Sequence, residues 1–146
     1  MYKSEIKKIR FNFLDEDFYF PRRTHLKQFL LGIFKSEGLS VDAINYIFCS
    51  DQYLLRINRT HLHHDTLTDI ITFQYSLPDE PVLSDIYISI DRVSENAMTF
   101  QVAFLEELYR VMFHGALHLC GYTDKTKTHI KEMRAAESKY LIKYMA

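Results

Sequence analysis

The chain opens with alternating hydrophobic and polar residues, the pattern of a half-buried strand. Ile9, Phe11 and Phe13 alternate with polar neighbours. A helical repeat then begins at Pro21 and stops before Gly38. Its apolar positions recur at helical spacing and are Leu26, Phe29, Leu30, Ile33 and Phe34. This N-terminal pattern therefore predicts a strand followed by a helix.

The middle of the chain carries three further strand patterns and one short helix. Ile44–Cys49 is predicted to be a strand, and the β-branched and aromatic residues of Asp69–Tyr75 and Asp85–Ile90 predict two more. Ser50 follows the first of these segments and can cap a helix that runs to about Leu62. We therefore predict the order strand, helix, strand, strand for this region.

The C-terminal half has a helical pattern that is too long for one ordinary helix. It would run over Asp91–Cys120, about 30 residues. The run Thr99–Phe100–Gln101–Val102 is rich in β-branched and aromatic residues, and we predict the break there. The pattern then gives one helix over Asp91–Met98 and another over Ala103–Cys120. A last helix is predicted over Thr126–Tyr144.

These elements give the order βαβαββααα within a single domain that spans residues 1–146. Strands interrupted by helices indicate an α+β domain in which helices cover a small mixed sheet of about four strands. The sequence contains no repeat, linker or low-complexity segment that would divide it. The pattern does not determine the order of the strands within the sheet.

Composition and charge limit the kind of protein this is. The 18 basic and 19 acidic residues leave a net charge of -1, so an anionic partner has to be bound by a local basic surface. Cys49 and Cys120 are too few for a disulfide framework and favour a reducing compartment. The N-terminus has no apolar leader, and no apolar run approaches the roughly 18 residues of a membrane span. We therefore expect a cytoplasmic protein that has no membrane partner.

The segment HGALHLCGYTD, residues 114–124, has the spacing of a metal site. His114 and His118 lie about 40° apart around a helix, so both imidazoles can bind one ion. Gly121 can end the helix with a positive φ and let Asp124 approach the same ion. Metzincin zinc proteases have this spacing, but here Gly115 replaces their catalytic Glu and an aspartate replaces their third histidine. Three protein ligands leave one coordination position for water, as in catalytic zinc sites.

The same residues also have structural interpretations. A histidine pair alone is more typical of polar residues at the edge of a core, but the glycine and aspartate at the right offsets favour the metal site. Cys120 lies about 200° around the helix from His118, so we predict that it belongs to the core. His129 is an alternative third ligand if Asp124 does not reach the ion.

The run HGALHLCGYTDKTKTHIKEM resembles the signature of the YbeY family of bacterial rRNA maturation factors, usually written H-G-x-L-H-L-x-G-Y-D-H. Two upstream runs, LRINRTHLHHDTLTDIITFQY and SDIYIS, are similar to further patterns of that family. The resemblance covers about residues 54–133. It implies a single-strand-specific metallo-endoribonuclease of rRNA maturation and ribosome quality control. It also implies single-stranded rRNA as the substrate and ribosomal particles or a ribosomal protein as partners.

The sequence departs from the family pattern at the expected metal site. Asp124 stands where the family has its third histidine, Thr123 where it has the preceding aspartate, and Ser84 in place of a strand glycine. A carboxylate is an ordinary zinc ligand, and an oxygen ligand also suits Mn or Fe. We therefore predict one divalent metal bound by His114, His118 and Asp124, with Zn²⁺ as the first choice and Mn or Fe as alternatives.

The resemblance places the family's active-site arginine at Arg59. A planar guanidinium can bind a phosphate through two hydrogen bonds, although a lone arginine is more commonly a solvated helix charge. A metal lowers the pKa of bound water to near 7, so phosphodiester cleavage does not require a Glu at position 115. The predicted catalytic residues are Arg59, His114 and His118.

Three further groups have weaker interpretations. The adjacent His61, His63 and His64 are expected to contact RNA or solvent in preference to a second metal. Thr68 and Asp69 are expected to stabilise the turn into the next strand. A set of basic residues in the C-terminal segment either attracts a phosphate backbone or forms a solvated helix face. These are Lys125, Lys127, Lys131, Arg134, Lys139 and Lys143.

The sequence thus predicts a metal-dependent endoribonuclease, and it leaves two alternatives. One is a metal-dependent hydrolase of another substrate such as a peptide, against which Gly115 argues. The other is a non-catalytic ribosome assembly factor whose metal is structural.

Overall fold

The structure is a computed structural model that describes residues 5–14, 18–63 and 68–146. Its elements follow the predicted order βαβαββααα. They are β1 Ile9–Phe13, α1 Arg23–Ser36, β2 Val41–Cys49, α2 Asp51–Leu62, β3 Ile70–Gln74, β4 Val82–Ser89, α3 Ile90–Phe100, α4 Phe104–Leu119 and α5 Lys127–Met145.

The four strands form one mixed sheet in the order β1-β2-β4-β3. Strands β1 and β4 lie parallel on either side of β2, and β3 is antiparallel to β4 at one edge. Parallel neighbours need a crossover connection, and helices α1 and α2 provide the crossovers on either side of β2. The α+β class and the mixed four-stranded sheet predicted from the sequence are confirmed.

The two faces of the sheet are covered unequally. Helix α4 packs on one face, where it contacts β3, β4, α1 and α5 around the main core. The Tyr46 hydroxyl on β2 donates to the Met112 carbonyl of α4 at 2.9 Å, which fixes the helix on the sheet. Helix α2 covers the other face through a small cluster of Cys49, Leu54 and Ile71. The histidine-bearing helix α4 is therefore held by the larger core.

Element boundaries differ from the predicted ones where distant segments pair. Strands β2 and β4 begin at Val41 and Val82, each three residues earlier than predicted, because these two residues pair with each other. Helix α1 begins at Arg23, after Arg22 adopts a positive φ of 56°. Local sequence pattern contains no information about such long-range pairing.

The predicted break in the long C-terminal helical segment is confirmed. Helix α3 ends at Phe100, Gln101 adopts a positive φ of 57°, and α4 begins at Phe104. Because of the break, α3 and α4 are two separate helices that pack against each other.

The N-terminus of α2, the helix that carries Arg59, is fixed by side chains. Ser50 caps it as predicted, since its Oγ accepts a hydrogen bond from the backbone N–H of Tyr53 at 3.1 Å. The Asp51 carboxylate accepts from Ser89 Oγ at 2.6 Å and pairs with Arg92 at 2.9 Å. These contacts join α2 to the start of α3.

Candidate active site

The two predicted ligand histidines lie on the outer side of the last turns of α4. His114 is 24% exposed and His118 is exposed, whereas Gly115, Ala116 and Leu117 between them are buried. The helical spacing therefore does what the sequence predicts, because it turns both imidazoles away from the core and toward the same side of the helix.

Gly115 is a contact point between α4 and the sheet. A Cβ at this position would lie 2.9 Å from Ile70 Cδ1 and 3.2 Å from Ile86 Cγ2, closer than carbon atoms normally approach. The residue that follows His114 therefore faces the buried strands β3 and β4. A glutamate could not act from this position, which explains in packing terms why the protease residue is missing.

A buried carboxylate orients the His114 ring. Nδ1 of His114 lies 2.6 Å from Oε2 of Glu137, a residue of α5 whose side chain is 5% exposed. The second oxygen, Oε1, accepts from Arg110 Nη1 at 2.8 Å. Burial alone would raise the pKa of Glu137, but the His114 hydrogen bond and the Arg110 charge outweigh it and hold that pKa below its usual value. Glu137 is therefore ionised and acts as an acceptor toward both partners.

Behind this pair, a polar network connects α3, α4 and the start of β3. Arg110 also binds the buried Glu107 through Nε at 2.8 Å, and this hydrogen bond raises the pKa of the guanidinium. Asn96 of α3 donates to Glu107 at 3.4 Å and to Asp69 at 3.2 Å. Burial raises the pKa of Asp69, while the charges of His114 and Arg110 act in the opposite direction. The network therefore includes two carboxylates that interact with His114, Glu137 through a hydrogen bond and Asp69 through charge.

The His118 ring is oriented by the turn that follows α4. Its Nδ1 lies 3.2 Å from the Tyr122 carbonyl oxygen. Gly121 adopts the predicted positive φ, 105°, which lets the chain turn back. The Tyr122 hydroxyl donates to Glu37 at 3.0 Å, and Tyr140 of α5 donates to the same carboxylate at 2.6 Å. The turn is thus fixed to both α1 and α5.

These contacts determine which ring nitrogen can bind a metal. A carbonyl oxygen can only accept a hydrogen bond, so Nδ1 of His118 must be the protonated nitrogen. The ionised Glu137 imposes the same tautomer on His114. A ring that binds a metal in this tautomer does so through the lone pair of Nε2, and a carboxylate or carbonyl at the other nitrogen is the usual arrangement of metal-binding histidines.

Asp124 lies near His114 but does not complete a metal site in this conformation. The two residues line one cavity of about 240 Å³ together with Arg110, Arg134 and Glu137. Asp124 is exposed in the turn before α5. Among residues 5–14, 18–63 and 68–146, no three His, Cys, Asp or Glu side chains lie close enough together to hold an ion. The structure therefore brings the predicted ligands to one region without assembling all three.

The other residues considered as ligands lie elsewhere or remain exposed. His129 is exposed at the start of α5, where its backbone N–H donates to the capping Thr126 hydroxyl at 3.1 Å. Cys120 packs against the main core as predicted, and burial raises the pKa of its thiol to about 12. His61 and His63 are exposed, and His64 lies outside the described residues.

Arg59 lies in the last turn of α2 and is exposed. The six basic residues of the C-terminal segment are also exposed, and one of them, Arg134, lines the cavity beside His114 and Asp124. Thr68 makes the turn contact expected of it, with its hydroxyl 3.3 Å from the Ile70 carbonyl. Ser84 fits within β4, where its hydroxyl donates to the Phe73 carbonyl at 2.8 Å.

Sequence reasoning missed Glu137, Arg110 and the role of Asp69 beside His114. One signal in the sequence points to Glu137. It occupies a position on the buried face of α5 next to Met133, Ala136 and Tyr140, where an unpartnered carboxylate would be costly. A charged residue within an apolar helical stripe therefore indicates a partner elsewhere in the fold.

In the described part of the chain, every helix is too short or too polar to cross a bilayer.

Comparison with known proteins finds relatives over nearly the whole chain. A sequence model of the family described as Endoribonuclease YbeY matches residues 14–145. The endoribonuclease YbeY of Flavobacterium psychrophilum is 51% identical over 133 residues, which are 91% of this chain and 94% of the relative. That of Amoebophilus asiaticus is 44% identical over 128 residues, 88% of this chain and 87% of the relative.

A solved structure shares the fold. The solution structure of a protein from Thermotoga maritima superimposes with a TM-score of 0.66 at 31% sequence identity. The match covers 92% of this chain and 88% of that protein.

Proposed function

The chain belongs to the endoribonuclease YbeY family, and we propose that it is a single-strand-specific, metal-dependent endoribonuclease of rRNA maturation and ribosome quality control. The family and the endoribonuclease class predicted from the sequence are confirmed by these relatives. The metal, its ligands, the choice of rRNA and the ribosomal partners are the proposed part.

One observation carries the metal proposal. His114 and His118 both use Nδ1 for a hydrogen bond to an oxygen that accepts it, so both direct an Nε2 lone pair outward from the same side of α4. Oriented imidazoles of this kind are the donor set of catalytic zinc sites. When bound, a divalent metal supplies an acidic water and positive charge for the phosphoryl group.

We assign Asp124 as the third ligand. Its carboxylate is exposed and lines the cavity that contains His114, and we expect a side-chain rotation to bring it toward the two rings. Two imidazoles and a carboxylate make Zn²⁺ the first choice, and the oxygen ligand keeps Mn²⁺ and Fe²⁺ acceptable. His129 is the alternative if this rotation does not occur.

Arg59 and Arg134 are the proposed phosphate-binding groups. Arg59 is exposed on the last turn of α2, a helix held at its other end by Ser89 and Arg92. Arg134 lines the cavity of His114 and Asp124. A guanidinium matches two phosphate oxygens, and phosphodiester cleavage requires that their charge be neutralised.

The packing of Gly115 disfavours the rival peptide hydrolase. Peptide cleavage needs a proton delivered to an amine leaving group, and in the protease motif the residue after the first histidine provides it. Here that residue faces Ile70 and Ile86 in the core. The site thus suits phosphate chemistry better than peptide chemistry.

We propose the cytoplasm as the location, with ribosomal particles or a ribosomal protein as partners. The family resemblance supports the partners, and the two cysteines, one buried and one half-buried without a disulfide, suit a reducing compartment. The second alternative from the sequence, a non-catalytic ribosome assembly factor with a structural metal, is disfavoured by the endoribonuclease relatives.

The test combines elemental analysis of the purified protein with cleavage of a defined RNA. The same RNA is offered single-stranded and as a duplex, with and without a chelator, and Zn²⁺, Mn²⁺ and Fe²⁺ are added back separately. We expect about one metal per chain and cleavage of the single strand only, lost on chelation and restored by metal. His118→Ala purified in parallel controls for contaminating ribonuclease.

Three results would reject parts of the proposal. Cleavage that survives complete removal of metal would rule out the metal mechanism. Bound metal without any RNA cleavage would favour the assembly factor. Hydrolysis of a peptide substrate by the zinc-loaded protein, absent from His118→Ala, would favour the peptide hydrolase.

A further inference from the structure

An aromatic cleft lies on the thinly covered face of the sheet, between α2 and strands β3 and β4. It encloses about 360 Å³. Its lining residues are Tyr53, Ile57, His61, Phe73, Tyr75 and Tyr87. Five of these six side chains are rings, and none of them belongs to the proposed metal site.

The rings are held in place by contacts with one another. Tyr87 packs edge-on to Phe73 with centroids 5.9 Å apart, and Phe73 meets His61 edge-on at 6.0 Å. Tyr53 lies nearly parallel to Tyr87 at 6.3 Å. In an edge-to-face pair the edge of one ring lies against one face of the other, so each ring keeps at least one face that this contact does not cover. The cleft is therefore lined by preformed flat surfaces.

These rings are only partly covered by the protein. Tyr75 is 58% exposed, His61 is exposed, and Tyr53, Phe73 and Tyr87 are half-buried. On the opposite face of the sheet, in contrast, large aromatic side chains such as Phe48 and Phe113 are completely buried. Within the described residues, α2 is the helix that packs on this face.

Positive charge borders the cleft on the α2 side. The Arg56 guanidinium lies 5.7 Å from the Tyr53 ring centroid, in a cation–π contact. Arg59, the proposed phosphate-binding residue, lies on the same helix but not on the side that carries Tyr53, Ile57 and His61. Flat rings beside an arginine form the combination that single-stranded nucleic acids bind, since bases stack on rings while a cation attracts phosphates.

One carboxylate shapes the other end of the cleft. Asp85 accepts a hydrogen bond from the Tyr75 hydroxyl at 2.9 Å, and burial together with this bond raises the pKa of Tyr75 to about 12. The bond holds the ring of an otherwise exposed side chain. A negative charge repels phosphates, so this end suits bases and the arginine end suits phosphates.

Strand β3 connects the cleft to the candidate active site. Asp69 immediately precedes β3, and Ile70 at the start of β3 lies against Gly115, the neighbour of His114. Phe73 and Tyr75 follow further along the chain. Four residues of strand place Phe73 roughly 13 Å from Asp69. Since β3 is the edge strand of the sheet, one RNA strand can pass around it from the histidines to the cleft.

We propose that the aromatic cleft between α2, β3 and β4 is a base-stacking subsite. Its occupant is the RNA strand that is cleaved at the active site of His114 and His118. The inference rests on the proposed function in that the occupant is its RNA substrate. It does not depend on the metal, since the cleft contains none of the proposed ligands. Such a subsite binds bases of any sequence and requires them to be unpaired, because paired bases do not expose their faces.

The test measures the affinity of wild type and Tyr75→Ala for two probes. One probe is a single-stranded oligoadenylate of about eight nucleotides, and the other is an abasic oligomer of equal length. EDTA prevents hydrolysis, and a gel verifies that the RNA stays intact. We expect Tyr75→Ala to weaken oligoadenylate binding by about 5- to 150-fold, the range for loss of one stacked base, and to leave abasic binding unchanged.

Two matched variants separate the ring from other effects. Tyr75→Phe keeps the ring and loses the Asp85 bond, so it should bind oligoadenylate within about twofold to threefold of wild type if stacking is the cause. Tyr19→Ala makes the same truncation at a 75% exposed tyrosine that precedes α1, outside the cleft, and should change neither affinity.

Unchanged oligoadenylate affinity in Tyr75→Ala would overturn the inference, and this is also the result expected if the cleft binds a protein. An equal loss of affinity for both probes would overturn it as well, because Tyr75 would then contact the sugar-phosphate backbone and not a base. If the proposed function is wrong, the cleavage assay shows no metal-dependent cleavage. The difference in affinity between oligoadenylate and the abasic oligomer can still be measured in that case.

Discussion

The Nδ1 atom of His114 lies 2.6 Å from the Oε2 atom of Glu137, across the packed helices α4 and α5. The two residues are 23 positions apart in the chain. The other carboxylate oxygen binds Arg110, which in turn binds the buried Glu107. A ring held by an ionised carboxylate that is itself held by an arginine has little freedom to rotate or to change tautomer.

Replacing Glu137 should weaken metal binding without touching the metal ligands. In Glu137→Ala, His114 loses the acceptor that fixes its tautomer, and we expect the metal dissociation constant to rise by about 10- to 100-fold. Glu137→Gln should lie between Ala and wild type, since its single carbonyl oxygen cannot serve both His114 and Arg110 as the two carboxylate oxygens do. Competition against a chelating dye measures the constant.

Two further measurements distinguish positioning from a loss of fold. Glu132→Ala removes an exposed carboxylate from the same helix and should leave metal affinity unchanged. RNA cleavage by Glu137→Ala should recover largely at saturating metal, because the reacting groups are intact. A variant that binds metal as tightly as wild type would show that Glu137 serves the packing of α4 and α5 alone.

Asp124 variants test the third ligand. Asp124→Ala should lose most of the bound metal and the RNA cleavage together, and Asp124→His should keep both because it restores the family's usual three histidines. Elemental analysis and the cleavage assay are the measurements. Metal content in Asp124→Ala equal to that of wild type would contradict the assignment and direct attention to His129.

Arg59→Ala separates phosphate binding from metal binding. The side chain is exposed, so we expect full metal content and a free energy of unfolding within about 0.5 kcal/mol of wild type. Cleavage of single-stranded RNA should fall by about 10² to 10³, the usual cost of removing a group that stabilises developing charge. Arg59→Lys should recover only part of the rate. Loss of metal or an unfolded protein would identify Arg59 as a structural residue instead.

Gly115→Glu restores the protease motif, but we expect it to destabilise the fold because the new side chain cannot be packed. The new side chain would meet Ile70 and Ile86, and the helix would have to move off the sheet or bury a carboxylate. We expect a loss of more than about 3 kcal/mol in the free energy of unfolding and no peptidase activity. Gly32→Ala is the control, since a Cβ there meets no atom within 4 Å, and it should stabilise α1 by about 0.5–1 kcal/mol. A stable, well-folded Gly115→Glu would refute the packing explanation.

The Asp51–Arg92 pair should make stability depend on acid pH. Burial would raise the pKa of Asp51, but the hydrogen bonds from Arg92 and Ser89 outweigh it and hold that pKa below its ordinary value of 3.8. A depressed pKa means that the pair stabilises the fold fully above 3.8 and that the contribution is lost as pH falls through the lower, folded-state pKa. Asp51→Asn should therefore melt below wild type at neutral pH, and thermal melts should show this gap closing below pH 3.8. A gap that is the same at acid pH would exclude the ionised pair as its source.

Local sequence determined the elements and part of the site. Hydrophobic periodicity was sufficient for the order βαβαββααα, because each element buries one face of its own repeat. The capping Ser50 and the positive φ of Gly121 could be inferred since both depend on the residue type at one position. The spacing of His114 and His118 also predicts their shared direction, which any helix would impose.

Only the tertiary structure decided the strand order and the surroundings of the histidines. The parallel pairing of Val41 with Val82 moved two strand boundaries, and no local pattern reports a contact between such distant segments. Glu137 reaches His114 because α4 and α5 pack together, and Gly115 is required because α4 approaches the sheet closely. Residue types and spacing follow from one stretch of chain, whereas these contacts depend on the relative placement of several stretches, which only the folded packing defines.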